Sequence, residues 1–196
     1  MLTFAIAVLF LIGTPGPGVL SLACVGAAYG YRHGWRYLLG LLIGNNLVAI
    51  AVLTGLAAIL LAEPRLRTVL AIASAAYLLF LAYKIAFAGA RVAFIDRPAP
   101  PGIWGGITLQ IINPKAYAVN TAIFSNFAFM AHNPTLEAAL KLLIFNMIWI
   151  ALHIVWLWLG ITLRRLDLPS RTQRAINIGM ALAMLGVVVL AAVTAF

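Results

Sequence analysis

Charge in this chain is confined almost entirely to the gaps between long apolar stretches. Six segments, about Leu2 to Tyr29, Tyr37 to Ala62, Thr68 to Phe87, Ile103 to Ala131, Ala138 to Leu163 and Ala175 to Ala195, are each long and neutral enough to span a bilayer, which takes roughly 20 residues of helix. Only 9% of the residues are charged and 65% are hydrophobic, against about a quarter charged in a soluble domain. A water-soluble globule of this make-up lacks the polar residues to cover its surface. The expected fold is therefore an all-α integral membrane protein with six transmembrane helices. Its 196 residues are used up by those spans, so 1–196 reads as one membrane domain with no separate soluble unit.

The 13 Lys and Arg outnumber 4 acids, a balance that in a soluble chain raises the question of nucleic acid. Here the bases lie between apolar runs without an aromatic-interleaved stripe, so they read as topology signals facing lipid headgroups, and nucleic acid is not an expected partner. The single Cys24 excludes a disulfide framework, a Cys-x-x-Cys redox pair and a thiolate metal site. His33, His132 and His153 fall in separate loops or spans, so no metal site and no cofactor are expected. Residues 1–31 hold no Lys or Arg, which denies them the basic start of a cleaved signal, and the first segment reads as a retained helix.

Six spans place Arg32, Arg36, Lys84, Arg91, Arg97, Lys115, Arg164, Arg165, Arg171 and Arg174 on one side and Arg65, Arg67 and Lys141 on the other, 10 against 3. The first side is expected to be cytoplasmic and both termini outside. Removing the fourth crossing would reduce the bias to 7 against 6, so that span is kept.

Helix breakers cluster in two of the segments. In Gly13-Thr14-Pro15-Gly16-Pro17-Gly18 the prolines cannot donate to the carbonyls of Leu11 and Gly13, and those carbonyls need another partner in hydrocarbon. Thr14 is placed to cap a helix that restarts at Pro15, leaving the amides of Gly16 and Gly18 along its axis. Asn113-Pro114-Lys115 repeats the order of capping residue, proline and first turn in the fourth segment. Pro15 and Pro114 stand 99 positions apart, and Asn46 of the pair Asn45-Asn46 is matched by Asn146, 100 positions on. Three spans per half is an odd number, so the halves, about 1–90 and 103–196 with a Pro-rich linker of about 91–102, must be inverted. Interrupted segments at matching places in two halves point to a transporter site at the repeat interface.

Lys115 sharpens that expectation. A cation in the first turn of a helix opposes the macrodipole unless an anion binds there or the ammonium snorkels to water. Prolines can also merely kink membrane helices, and asparagines can merely join them. His153, among Trp149, Trp156 and Trp158, reads first as a packing residue. Glu63, Asp96, Glu137 and Asp167 all flank spans, so no carboxylate is expected inside the membrane.

These motifs, together with Gly40-x-x-x-Gly44 running to Gly55-Leu56 and the stretch Ala75-Ala76-Tyr77-Leu78-Leu79-Phe80-Leu81-Ala82-Tyr83-Lys84, resemble the LysE/RhtB (lysine/homoserine-threonine exporter) family over about residues 10–130. The resemblance implies a multi-pass exporter of amino acids or related small polar molecules in the bacterial inner membrane, driven by potential or proton gradient, and admits a homodimer. It departs at Gly44-Asn45, where the family commonly has Gly-Asp, and at Gly18, where Asn is commoner.

The expected mechanism has free carbonyls near Leu11 and Gly13, with Asn45 or Asn46, holding a substrate ammonium, while Asn113 and Lys115 on the restarted helix hold its carboxylate. Thr14, Pro15, Gly16, Pro17, Pro114 and Asn146 complete the expected site, with Tyr77 as a further lining residue, and no residue is expected to be catalytic. The alternatives are a non-transporting membrane subunit or assembly factor and, against the single Cys24, a membrane thiol oxidoreductase.

Overall fold

The computed structural model describes residues 1–13, 16–86, 99–130 and 132–165, with isolated positions beyond 170. Most of the sixth expected span, from Ala175, and most of the Pro-rich linker lie outside the described residues. Those described form eight helices: α1 (Leu2–Gly13), α2 (Pro17–Tyr29), α3 (Tyr31–Leu53), α4 (Leu56–Ala62), α5 (Pro64–Ala86), α6 (Ile103–Ile112), α7 (Pro114–Ser125) and α8 (Pro134–Arg165). Three, α3, α5 and α8, are long and apolar enough to cross a bilayer, and α1 with α2, bent by 56° at their junction, makes a fourth if taken as one span.

Helix boundaries follow local chemistry more closely than hydropathy. Gly30 takes φ 79° and its amide closes on the Gly26 carbonyl at 2.9 Å, so α3 starts at once at Tyr31. The basic stretch Tyr31 to Arg36, which lies between the first two expected segments, forms the first turns of that helix. The second expected segment is itself interrupted, because Gly55 adopts φ 77° and separates α3 from α4. Only a residue without Cβ takes that conformation cheaply. The loop expected at Glu63 to Arg67 is also mostly helix, with Pro64 opening α5 and the Glu63 carboxylate accepting from the Arg65 amide at 3.2 Å.

Two close helix pairs organise the bundle. α3 lies along α6, where a methyl on Gly40 would overlap the Ile103 carbonyl and one on Gly106 would meet the backbone of Leu41. α2 lies along α8, where a methyl on Gly160 would overlap the Ala23 carbonyl. Small residues permit this approach where lipid offers no hydrophobic drive between helices. Between these pairs Phe4, Val8 and Ile12 of α1, four residues apart and so on one face, join Leu22, Leu41, Leu109, Phe145 and Trp149 in the core. Tyr77 ties α5 to α6 by donating to the Gly105 carbonyl at 2.9 Å.

The fourth segment stops being helical at Ser125, short of the expected Ala131. Phe127 has φ 60°, and the chain then folds back under α8. Glu137 and Lys141 hold it there. The carboxylate accepts from the amides of Phe129 and Met130 and pairs with the Lys141 ammonium at 2.8 Å. Lys141 in turn donates to the Asn126 carbonyl at 3.1 Å and the Phe124 carbonyl at 3.4 Å, closing the end of α7, where a cation suits the helix dipole. Both residues are buried, and Glu137 lies in the first turn of α8, at the flank of the expected fifth span. Its carboxylate is retained because every charge in the cluster has a hydrogen-bonded partner.

Replacing Lys141 by Met strands a buried carboxylate and is expected to lower the unfolding midpoint of the detergent-solubilised protein. The Glu137→Gln/Lys141→Met double variant should lose less than the two single losses added together, a coupling that a double-mutant thermal cycle reads directly.

Candidate functional site

Both helix breaks follow from where proline removes a donor, and they face each other. α1 ends at Gly13 and α2 restarts at Pro17 after an extended Gly16 at its N-cap. The restart thus falls two residues beyond the expected Pro15, and Thr14 and Pro15 lie outside the described residues. The second break matches its expected form: the Asn113 side chain accepts from the Lys115 amide at 3.1 Å, with Pro114 in the first turn of α7. The C-terminal ends of α1 and α6 and the N-terminal ends of α2 and α7 line a cavity of about 50 Å³.

Lys115 bridges the two breaks. A methyl on Gly16 would stand 2.8 Å from Lys115 Cδ and 3.0 Å from its Nζ, so the ammonium is carried to the N-cap of α2. This places a cation and two helix N-termini, each equivalent to about half a positive charge, on one part of the cavity. The last carbonyls of α1 and α6 supply the opposite polarity. The cavity lining contains no carboxylate among the described residues.

The other polar groups of the lining are oriented by unambiguous partners. Asn120 Nδ2 donates to the Ala116 carbonyl at 2.7 Å and to Asn45 Oδ1 at 3.2 Å. A carbonyl only accepts, so the amide nitrogen of Asn120 is fixed, and with it the oxygen of Asn45. Asn45 Nδ2 and Asn120 Oδ1 then remain, both buried and both without a protein partner. Leaving such groups unmatched costs about 1–3 kcal/mol each. His153 Nδ1 lies 2.8 Å from the Trp149 carbonyl and so carries its proton, and in the neutral ring Nε2 is an acceptor. That atom and Gln110 Nε2 both face Gly18, where a methyl would lie 3.8 and 3.7 Å from them. The ring stacks on Trp149 with centroids 3.4 Å apart.

The expected residues divide clearly. Gly16, Pro17, Asn45, Asn113 and Lys115 line the cavity, and Pro114 positions α7 beneath it. Asn46 and Asn146 are elsewhere: they exchange two hydrogen bonds of 2.9 Å and each also donates to its own helix, at Leu42 and Leu142. Their donors are spent on joining α3 to α8. Tyr77 is committed to Gly105 and does not line the cavity. Gln110, Asn120, Trp149 and His153 line it without having been expected there. A signal existed in the sequence, since polar side chains recur at 110, 113, 117 and 120 at helical spacing.

A family model described as LysE type translocator matches residues 9–194. The chain belongs to that family. Among curated LysE-type relatives, a protein of Salmonella typhi named cysteine/O-acetylserine efflux protein is 33% identical over 115 residues, covering 58% of each chain. A leucine efflux protein of Klebsiella pneumoniae is 29% identical over 131 residues, covering 64% of this chain and 62% of its own, and one of an Enterobacter strain is 25% identical over 130 residues. The matched part of this chain thus spans about three fifths of those relatives. No solved structure matches.

The Lys115–Gly16 junction is testable without naming a substrate. Gly16→Val puts a branched side chain where the Lys115 stem lies, and is expected to abolish stabilisation by bound amino acids in a thermal-shift titration. The unfolding midpoint without amino acid should move little, because Gly16 already has extended φ and ψ that valine adopts.

Proposed function

We propose that this protein is a secondary transporter that exports amino acids or closely related small zwitterions across the bacterial inner membrane by alternating access. The observation that carries this reading is the convergence of four helix ends and Lys115 on one cavity. A free amino acid has a carboxylate for the ammonium and N-termini and an ammonium for the terminal carbonyls, and half-helices in membrane transporters bind such ligands in this way. A purely structural role gives no reason to bury Asn45 Nδ2 and Asn120 Oδ1 unmatched beside that cavity. The efflux proteins among the relatives are in keeping with the same reading.

The full architecture we propose is six spans in two inverted three-helix repeats, with the fourth span formed by α6 and α7 and both termini outside. Two features support it. Each half has a span broken at proline, and the continuous helix that follows each break, α3 or α8, packs along the broken span of the other half. Asn46 and Asn146, 100 positions apart, meet as equivalents. The glycine contacts join α3 to α6 and α2 to α8 across the halves, so the bodies that rock in this mechanism are those cross-repeat pairs.

Counterflow of radiolabelled amino acids in proteoliposomes tests the proposal. Lys115→Met should reduce flux by on the order of a hundredfold, the loss for a charged partner left unpaired at about 3 kcal/mol, with the variant still inserted and folded. Lys115→Arg, which keeps the charge, should retain a measurable part. Unchanged flux in Lys115→Met would remove this site from the transport path.

A further inference from the structure

The carboxylate and ammonium of an amino acid are accounted for by the helix ends and Lys115, which leaves Asn45 and Asn120 without a role. Asn120 lies five residues along α7 from Lys115, some 7.5 Å by helical rise, and both line the same cavity as Asn45. One free donor, Asn45 Nδ2, and one free acceptor, Asn120 Oδ1, stand on amides that already share a hydrogen bond of 3.2 Å. Both residues are at least nine-tenths buried and line the cavity. We infer that this pair is the specificity-determining element of the site, and that it selects amino acids with an uncharged side chain that both accepts and donates, of which a terminal carboxamide is the fullest match.

The inference rests on the transporter reading for what the cavity binds, and on hydrogen-bond chemistry for the rest. A carboxamide presents its oxygen to Asn45 Nδ2 and its NH₂ to Asn120 Oδ1, so neither buried atom is left over. An ammonium satisfies Asn120 but sets donor against donor at Asn45, and it adds a second cation to a lining that already holds Lys115 and no carboxylate. A side-chain carboxylate reverses the fault, facing Asn120 Oδ1 with another acceptor. A hydrocarbon of the same length leaves both atoms unmatched in a dry setting, the case that sites built to hydrogen-bond discriminate against strongly. Val119, Phe145 and Trp149 give the same lining apolar surface for the stem of the side chain.

Glutamine, glutamate, lysine and norleucine form a nearly isosteric series that separates these cases. In detergent-solubilised protein, glutamine should raise the unfolding midpoint with half-saturation at least tenfold lower than any of the other three, and should lead in counterflow by a similar factor. Asn45→Asp keeps the acceptor used by Asn120 and exchanges the free donor for a charged acceptor, so it should fold as the parent does and move the preference towards lysine by tenfold or more. Equal half-saturation for the four amino acids, no midpoint shift with any of them, or an unchanged ranking in Asn45→Asp would overturn the inference. If Asn45→Asp does not fold, Asn120→Leu gives the second reading: glutamine should lose its lead over norleucine, and a retained lead overturns the assignment. Selective stabilisation by glutamine without any counterflow would leave the specificity assignment standing and defeat the transport reading.

Discussion

A polypeptide in hydrocarbon must satisfy its own backbone. The interior of a bilayer offers no water, and each unmatched amide or carbonyl there costs several kcal/mol. Two junctions of this chain, between α1 and α2 and between α6 and α7, strain that rule, and the rest of the structure follows from how the breach is contained. The breaks are brought against one another so that the loose backbone faces a shared polar cavity and not lipid. Doing so requires close approach of neighbouring helices, which is why glycines sit wherever α3 meets α6 and α2 meets α8. It also requires a cap, which Asn113 supplies for α7.

The same containment creates the chemistry. Helix ends that meet with opposite polarity give a site with a positive and a negative part, with no carboxylate among the described residues of its lining, and Lys115 biases it towards anions. The buried Lys141 shows the contrast. It lies at the C-terminal end of α7, neutralised by Glu137 and two carbonyls, and has nothing left with which to bind a ligand. One helix therefore carries a lysine at each end of its reach, and the dipole bears on what each does: at the C-terminus the cation closes the structure, and at the N-terminus it adds to an end that favours anions.

Much of this was legible in the sequence where the signal was local. Asn113-Pro114-Lys115 announces a restart because capping and proline act within four residues, and the structure places each as that grammar requires. Gly16-Pro17 was misplaced by two residues because Thr14-Pro15 offers the same grammar one step earlier. The spacing of Asn46 and Asn146 revealed an equivalence between the halves but not a direction. Adjacent residues on a helix point about 100° apart, so of Asn45 and Asn46 one faces the cavity and the other the neighbouring strut, and nothing in the spacing says which. Asn120 and Gln110 were overlooked because their partners, Asn45 and Asn113, become neighbours only through a helix contact or a bend. The turn at Phe127 was invisible because the apolar run continues through it, and what ends the helix is Glu137, ten residues on.

The division of labour among the asparagines bears on motion. Asn46 and Asn146 hold each other and their own helices with every donor used, so they fix where α3 crosses α8 and resist any sliding there. Asn45 is one position away on α3 and shares that fixed crossing, but its partner Asn120 rides on α7, a short helix held at one end by a proline junction and at the other by the Lys141 cluster. A ligand seated between Lys115 and the Asn45–Asn120 pair therefore touches both a strut that is clamped and a half-helix that is hinged. Binding energy applied across that gap acts on one of the two joints in the site where the backbone ladder is already interrupted. There a change of angle costs the fewest hydrogen bonds, and a transporter needs its binding event to be felt at such a joint.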